Sequence, residues 1–156
     1  MLSLGTDEDI KSAVEKYSPG MLRAAFSVLR NTCDAEDAVQ ESFLKLLRKR
    51  PNFHSEEHVK AWLLRVTVNT AKDMLRSSER KNSELPEDVP YSYSETTPIL
   101  NEVLSLPEKY RTVIHLYYFE GYSVREIASI LQKPPATVRT LLSRGRNLLK
   151  TSLEGE

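Results

Sequence analysis

The sequence contains only one cysteine, Cys33, among its 156 residues, so an intrachain disulfide is excluded. The N-terminus has neither a basic start nor an apolar core, and no apolar run approaches the roughly 18 residues of a membrane span. No Gly-rich phosphate loop, nucleophile elbow or His-Glu-x-x-His metal motif occurs. We therefore expect a cytoplasmic protein without a catalytic site, a metal, a cofactor or a small-molecule substrate.

The chain also lacks a net charge, since its 22 basic residues balance its 22 acidic residues. The balance conceals a segregation of charge along the chain. Residues 1–42 contain eight acidic and four basic residues, residues 43–81 contain ten basic and four acidic residues, and residues 82–105 contain five acidic and no basic residues. Such segregation says more about binding partners than the net value does.

Apolar residues recur at helical spacing along most of the chain. The pattern predicts an all-α fold of two small helical domains, residues 1–80 and 98–156. Residues 81–97 are rich in Ser, Pro and Glu, a composition that predicts a flexible acidic linker between the two domains. In the first domain we expect helix starts at Thr6, Asp34 and Ser55, and an interruption or bend at Pro19-Gly20.

The helix expected from Asp34 to about Lys49 has an apolar stripe and an acidic side. The stripe consists of Ala38, Val39, Ser42, Phe43, Leu46 and Leu47. Glu36, Asp37, Gln40 and Glu41 cluster on roughly the opposite side. This cluster is either a solvated acidic face or a docking surface for a basic partner helix.

The next helix, from about Glu56 to Arg76, contains two apolar stripes, so we expect it to be packed on two sides. Between the apolar stripes lies a cationic stripe of four residues, namely Arg65, Asn69, Lys72 and Arg76. Trp62 borders this stripe near the loop formed by residues 51–55. Aromatic and cationic side chains near a loop suit the capture of unstacked bases, and a core tryptophan beside a solvated stripe is the alternative. His54 and His58 lack further ligands, so no metal site is predicted.

Residues 106–150 predict a helix, a glycine break and two further helices separated by prolines. Ser123 and Glu126 form a capping-box pattern at the start of the second of these helices. Pro134 and Pro135 end it and can serve as the entry to the third. A short helix, a tight turn and a second helix form the arrangement of a helix-turn-helix DNA reader.

The last of these helices divides into an apolar and a polar side. The apolar side consists of Val138, Leu141, Leu142, Gly145, Leu148 and Leu149. The polar side consists of Arg139, Thr140, Ser143, Arg146, Asn147 and Lys150, with Thr137 and Arg144 at its margin. Residues 124–150 contain six basic residues and one acidic residue, an excess that suits phosphate neutralisation and guanine recognition. An ordinary helical hairpin with a solvated basic face is the alternative.

Taken together, these motifs resemble those of the extracytoplasmic-function (ECF) sigma factors, the small class of bacterial RNA polymerase initiation subunits. The stretches DAEDAVQESFLKLL (34–47) and AWLLRVTVNTAKDMLR (61–76) resemble sigma region 2. The stretch LPEKYRTVIHLYYFEGYSVREIASIL (106–131), with the helix after it, resembles sigma region 4. The resemblance covers nearly the whole chain and implies a protein that binds core RNA polymerase and directs promoter recognition, DNA melting and transcription initiation.

The resemblance also implies roles for individual residues. Asp37, Gln40 and Glu41 would dock on the clamp helices of the largest polymerase subunit. The residues that would meet the melted −10 element are His54, Trp62, Arg65, Asn69, Lys72 and Arg76. Those that would read the −35 duplex are Thr137, Arg139, Thr140, Ser143, Arg144 and Arg146. Family members are commonly held silent by a dedicated anti-sigma factor, and nothing in this sequence shows whether one exists.

Two other functions fit part of the sequence. A stand-alone helix-turn-helix repressor or activator would bind duplex DNA as a dimer. It explains the second domain, but it leaves the acidic face and the cationic stripe of the first without a role, and no heptad seam for a dimer is present. A non-DNA adaptor would keep its activity after charge reversal at Arg139 and Arg146. We predict a sigma factor, with the stand-alone regulator as the alternative.

Overall fold

The computed structural model describes residues 5–80 and 98–154, and these residues form an all-α fold, as the sequence predicts. The first half consists of α1 (Asp7–Leu29), α2 (Thr32–Lys49) and α3 (Glu56–Arg80). The second half consists of α4 (Pro98–Ser105), α5 (Glu108–Ile114), a π-helical turn (His115–Phe119), α6 (Val124–Leu131) and α7 (Pro135–Glu154). The predicted linker, residues 81–97, lies outside the described residues.

Helix α1 begins where its capping residue predicts, but it does not break at the proline. The Asp9 backbone N–H donates to Thr6 Oγ1 at 3.1 Å, and the Asp9 carboxylate accepts from the Thr6 N–H at 3.3 Å. Of the expected interruption or bend at Pro19-Gly20, the interruption is wrong, because one helix of 23 residues runs through both positions, and the bend stays a prediction. Burial of the apolar residues that follow, from Met21 to Leu29, stabilises the helix enough to offset the hydrogen bond lost at the proline.

The predicted start of α2 is wrong by one helical turn, whereas the start of α3 is confirmed. Asn31, not Asp34, caps α2, and its Oδ1 accepts from the Asp34 N–H at 2.9 Å. Asn and Asp are equally good caps, and Asp34 instead lies in the first turn, where its charge suits the helix dipole. At α3, Ser55 Oγ accepts from the His58 N–H at 3.2 Å.

The helix-turn-helix segment has the predicted capping but an unpredicted π-helical turn. Glu126 N–H donates to Ser123 Oγ at 3.1 Å, and Ser123 N–H donates to Glu126 Oε1 at 3.0 Å. The helix before it continues from α5 to Phe119 with the wider π geometry. Gly121 then reverses the chain at a φ of 75°, a conformation that glycine adopts without steric cost.

Each half has its own packing, and the two halves also pack against each other. Helices α1, α2 and α3 contact one another, and α7 contacts both α5 and α6, while α3 contacts α6 and α1 contacts α5 across the two halves. Helix α3 is therefore packed on more than one side, as predicted, and Leu64, Val68 and Ala71 are buried. Gly145 allows α7 to approach α5 closely, since a Cβ there would lie 3.1 Å from Ile114. Within residues 5–80 and 98–154, no helix is long and apolar enough to cross a membrane.

Candidate nucleic-acid and protein-binding surfaces

The outer face of α2 combines acidic and apolar side chains. Asp37 and Gln40 are exposed, and Glu41 is half-buried and accepts from Arg48 Nη2 at 2.7 Å. Leu44 and Leu47 lie one and two turns further along this face and are 49% and 37% exposed. We call Asp37, Gln40, Glu41, Leu44 and Leu47 the α2 outer face.

The expectation that Leu47 belongs to the buried stripe of α2 is wrong. Leu46 occupies the core position and is 1% exposed, while Leu47 lies at the margin of the stripe. Leu44 was not predicted from the sequence as part of this face. The sequence contained the information that places Leu44 on this face, because Leu44 follows Gln40 and Glu41 at the helical spacings of four and three residues. An exposed pair of leucines beside carboxylates suits a protein partner with an apolar centre and a basic rim.

The loop before α3 is anchored by Phe53, which the sequence analysis did not single out. Phe53 is fully buried, and its ring meets the edges of His58 and Trp62 at centroid distances of 5.3 and 5.9 Å. His54 is exposed and stacks on His58 at 5.4 Å, and its backbone N–H donates to His58 Nδ1 at 3.1 Å. An aromatic residue in an otherwise polar loop was the available signal. The anchor holds His54 and Trp62 at the same end of α3.

Within the described part of the chain, the pair of His54 and His58 has no third side chain beside it to complete a metal site. Among residues 5–80 and 98–154, no group of three or more His, Cys, Asp or Glu side chains is placed to hold a metal ion. The loop therefore presents aromatic and imidazole rings, whose chemistry suits stacking and hydrogen bonding.

The cationic stripe runs along α3 from this loop towards the second half. Asn69 and Arg76 are exposed, Arg65 and Lys72 are half-buried, and Arg76 lies 3.6 Å from the Asp73 carboxylate. Over the 14 residues from Trp62 to Arg76, a helix rises roughly 21 Å. The predicted aromatic and cationic residues therefore lie along one helix. The length of this row matches several nucleotides of an extended single strand.

Lys72 is in contact with the second half of the chain, which the sequence did not predict. Its Nζ lies 3.9 Å from Glu108 Oε1 of α5, and its side chain is 19% exposed. Burial lowers the pKa of Lys72, the nearby charges of Lys133 and Arg76 lower it further, and Glu108 opposes them. One end of the cationic stripe is therefore partly covered.

The polar side of α7 is exposed along its length. The predicted DNA-reading residues, all exposed, are Thr137, Arg139, Thr140, Ser143, Arg144 and Arg146. Arg146 Nη1 donates to Tyr118 Oη at 3.2 Å, so the π-helical turn supports one of these side chains. Leu148, expected on the buried side, is instead 43% exposed, because it lies at the margin of the apolar side of α7. Three of these six exposed side chains are arginines, so this side of α7 is both polar and basic.

Comparison with protein families identifies both halves. Residues 13–81 match the family model described as Sigma-70 region 2, and residues 97–149 match the model described as Sigma-70, region 4. The region 2 match contains the α2 outer face and the cationic stripe, and the region 4 match contains the helix-turn-helix.

Several curated proteins are similar to this chain over nearly its whole length. The ECF RNA polymerase sigma factor SigW of Bacillus subtilis is 30% identical, with 96% of this chain and 91% of SigW covered. The RNA polymerase sigma factor SigV of the same organism is 32% identical, with 93% and 91% covered. The RNA polymerase sigma-H factor of Pseudomonas aeruginosa is 28% identical, with 90% and 84% covered.

Solved structures share the fold. The sigma factor RpoE of Bartonella quintana, solved in complex with the anti-sigma factor NepR, superposes with a TM-score of 0.78 at 25% identity, with 94% of this chain and 98% of that one covered. CnrH, solved in complex with the cytosolic domain of CnrY, superposes with a TM-score of 0.72 at 21% identity, with 97% and 92% covered.

Proposed function

Since the chain belongs to the ECF family of RNA polymerase sigma factors, we propose that it distributes promoter recognition over three surfaces. In this proposal residues 1–80 bind core polymerase through the α2 outer face and the melted −10 element through the cationic stripe. Residues 98–156 bind the −35 duplex through α7, and residues 81–97 connect the two domains. The observation that carries the proposal is that one chain contains a rigid aromatic-cationic helix and an exposed basic recognition helix.

The α2 outer face suits a polymerase-docking surface. Asp37, Gln40 and Glu41 supply negative and polar groups to the rim, and Leu44 and Leu47 supply apolar area at its centre. Charge at the rim steers association and sets orientation, while desolvated apolar side chains supply most of the affinity. We assign this face to the clamp helices of the largest polymerase subunit, the partner that the family relationship implies.

The loop before α3 and the stripe suit single-stranded DNA. Unstacking a base costs a few kcal/mol, and stacking on an aromatic side chain returns about 1–3 kcal/mol per base. In this proposal Trp62 and His54 stack on bases, while Arg65, Lys72 and Arg76 contact phosphates. Binding of extruded bases therefore offsets the cost of melting, without any bond chemistry from this chain.

The α7 surface suits a duplex. Arginine side chains at the N-terminal part of a recognition helix reach base edges in the major groove, and those further along contact phosphates. By this geometry Arg139 is the base reader, while Arg144 and Arg146 hold the backbone. The polymerase carries out the catalysis, in the cytoplasm where the chromosome lies. An anti-sigma factor is a further class of partner, supported by the complex of the similar Bartonella protein with NepR.

In vitro transcription with purified components tests the proposal. The protein is added to core RNA polymerase from its own host, with a template that carries the promoter of its own operon. We expect a specific start only when both components are present, and no start with the double variant Arg139→Glu/Arg146→Glu. The matched control is Lys11→Glu/Lys109→Glu, which reverses the same number of charges at exposed positions of α1 and α5.

The outcomes separate the proposal from its alternative. A stand-alone helix-turn-helix regulator would bind the operon DNA and show no association with core polymerase. Association with core but no transcript would support the docking assignment and reject the chosen template. Retention of full activity by the Arg139→Glu/Arg146→Glu protein would reject the assignment of α7 to the −35 element.

A further inference from the structure

We propose that the π-helical turn before α6 makes a DNA contact of its own, in which Tyr118 and Arg146 together bind one phosphate group of the duplex that α7 reads. We call these two side chains the phosphate clamp. They come from segments that lie 28 residues apart in the chain. The proposal rests on the proposed function in one respect, since it takes the phosphate to belong to duplex DNA.

The π-helical turn buries its first two residues and exposes the next three. His115 and Leu116 are buried, whereas the three side chains that follow are 37%, 52% and 44% exposed, namely Tyr117, Tyr118 and Phe119. Aromatic side chains that stabilise a core bury most of their large surface, and these three do not. Because π-helical turns are frequent at functional sites, the turn is a candidate contact surface.

Tyr118 is held by contacts on two sides. Its ring meets the Tyr117 ring edge to face, with the centroids 4.9 Å apart and an interplanar angle of 77°. Its hydroxyl oxygen accepts a hydrogen bond from Arg146 Nη1 at 3.2 Å. The hydroxyl and the guanidinium therefore lie side by side at the polar side of α7.

This hydrogen bond uses only part of what each group offers. A phenol hydroxyl has one hydrogen to donate and also accepts hydrogen bonds. Since Tyr118 is the acceptor towards Arg146, its own hydrogen stays available for another oxygen. A guanidinium has five N–H donors, and the contact with Tyr118 uses one of them. A phosphodiester only accepts hydrogen bonds, and its two unesterified oxygens can accept from both groups at once.

The charge of Arg146 is also available to an anion. Arg48 and Arg76 each lie within 3.6 Å of a carboxylate oxygen. Among residues 5–80 and 98–154, Arg146 makes no such ion pair. Its partner Tyr118 is neutral, so the contact fixes the direction of the guanidinium without cancelling its charge. A positioned cation of this kind suits the phosphates of a nucleic acid.

The phosphate clamp lies where the backbone of a bound duplex is expected to pass. Arg146 follows Arg139 by seven residues, which is about two helical turns, or roughly 10 Å along α7. Side chains in the first turns of a recognition helix meet base edges, and those further along meet phosphates. Tyr118 therefore extends the duplex-reading surface from α7 to the segment before α6.

The variant Tyr118→Phe tests the phosphate clamp, because it removes the hydroxyl and keeps the ring. Fluorescence anisotropy of the full chain gives its affinity for the promoter duplex of its own operon and for an unrelated duplex of the same length. We expect Tyr118→Phe to bind both duplexes about fivefold more weakly, the usual effect of one net hydrogen bond. Arg146→Gln should also reduce the slope of log affinity against log salt by about 0.9, because one phosphate is no longer neutralised. Tyr118→Phe should leave this slope unchanged, since a hydroxyl carries no charge.

Substitution of single phosphates identifies the group that the clamp binds. A methylphosphonate replaces one charged oxygen by a methyl group, and a series of promoter duplexes places it at each backbone position in turn. We expect one position at which the methylphosphonate weakens binding of the parent protein and at which neither Tyr118→Phe nor Arg146→Gln weakens it further. The matched control is Tyr17→Phe, which removes a hydroxyl from a half-buried tyrosine of α1 and should behave as the parent protein on every duplex.

The outcomes separate the phosphate clamp from the proposed function. Unchanged affinity of Tyr118→Phe for both duplexes would overturn the clamp and leave the proposed function in place. If the effects of Tyr118→Phe and Arg146→Gln were cancelled at different phosphates, the two side chains would not share a ligand, and the clamp would again be overturned. Equal affinity of the parent protein for the two duplexes, with the fivefold loss in Tyr118→Phe on each, would support the clamp and reject the assignment of α7 to the −35 element.

Discussion

At the scale of single residues, Asn69 differs from its neighbours on the cationic stripe. Arg65 and Lys72 are half-buried, and Arg76 lies near Asp73, whereas Asn69 is exposed and uncharged. An amide side chain both donates and accepts hydrogen bonds, so it can distinguish base edges, while a cation mainly neutralises phosphate. Asn69 is therefore the member of the stripe that we assign to base recognition.

We expect Asn69→Ala to reduce promoter opening about tenfold and to leave binding of the −35 duplex within about twofold. The loss corresponds to one base contact of about 1.4 kcal/mol. Open complexes are measured by the reactivity of unpaired thymines to permanganate, and duplex binding by fluorescence anisotropy. Asn101→Ala, at an exposed position of α4, is the matched control. Equal losses in the two assays would mean that the stripe only holds phosphates.

The residues that hold other segments in place were the hardest part of the candidate sites to predict from the sequence. The types and spacing of Arg65, Asn69 and Lys72 place them on one face of a helix, because helical periodicity alone fixes that relation. Phe53 and Tyr118 were not predicted, since each acts on a residue from another segment, and such contacts depend on how the segments pack. Arg111 was missed for the same reason, because its guanidinium donates to the carbonyls of Ser27 and Val28, which lie more than 80 residues earlier in the chain.

At the scale of helices, the sequence predicts elements well where it contains an unambiguous start signal. Thr6, Ser55 and Ser123 each cap a helix as expected. Asn31 and Asp34 compete for the start of α2, and Asn31, which is buried in the fold, is the residue that caps the helix. The π-helical turn has no sequence signal, because its wider hydrogen-bond spacing results from packing around His115 and Leu116, which are buried.

The α2 outer face gives a prediction at this scale. We expect Asp37→Arg/Glu41→Arg to weaken binding to core polymerase at least tenfold, because the rim would then repel a basic partner helix. Leu44→Ser should weaken it by roughly tenfold as well, because burial of a leucine side chain contributes about 1.5–3 kcal/mol. Affinity is measured by surface plasmon resonance on immobilised core polymerase.

The fold should survive these changes, since the residues lie on the outer face of α2 and the ion pair of Glu41 with Arg48 is largely exposed. Glu8→Arg/Glu15→Arg is the matched control, because it reverses two exposed acidic charges on α1. Unchanged affinity of the α2 variants, with helical content equal to that of the parent, would remove the docking assignment.

At the scale of the whole molecule, the sequence predicts two helical halves but not their contact. Each half follows from local periodicity and capping, whereas the contact depends on side chains such as Arg111 and Glu120 that meet partners far away in sequence. The segregation of charge along the sequence was only a partial indication of this contact, because it showed that the first half contains an acidic and a basic region. It did not indicate that Arg23 of the acidic region would pair with a carboxylate of the second half.

This pairing makes the contact between the halves sensitive to acid. Burial tends to raise the pKa of Glu120, but hydrogen bonds from His115 and Arg23 outweigh it and lower the pKa to about 2, from an ordinary value of 4.5. A carboxyl group with a lowered pKa in the folded state contributes stability above its unfolded pKa, and this contribution is lost as the pH falls towards the folded value. The contribution of Glu120 should therefore be complete above pH 4.5 and should disappear as the pH approaches about 2.

Other carboxyl groups also titrate in this pH range. The contribution of Glu120 to stability must therefore be measured as the difference in stability between the parent protein and Glu120→Gln. We expect the parent protein to be more stable than Glu120→Gln at pH 6, and this advantage to shrink progressively below about pH 4.5. Thermal unfolding of both proteins, followed by circular dichroism at intervals from pH 6 to pH 2, gives the difference directly. A stability difference that stays constant with pH would mean that Glu120 acts through its shape and hydrogen bonds alone, and the contact between the halves would not depend on its charge.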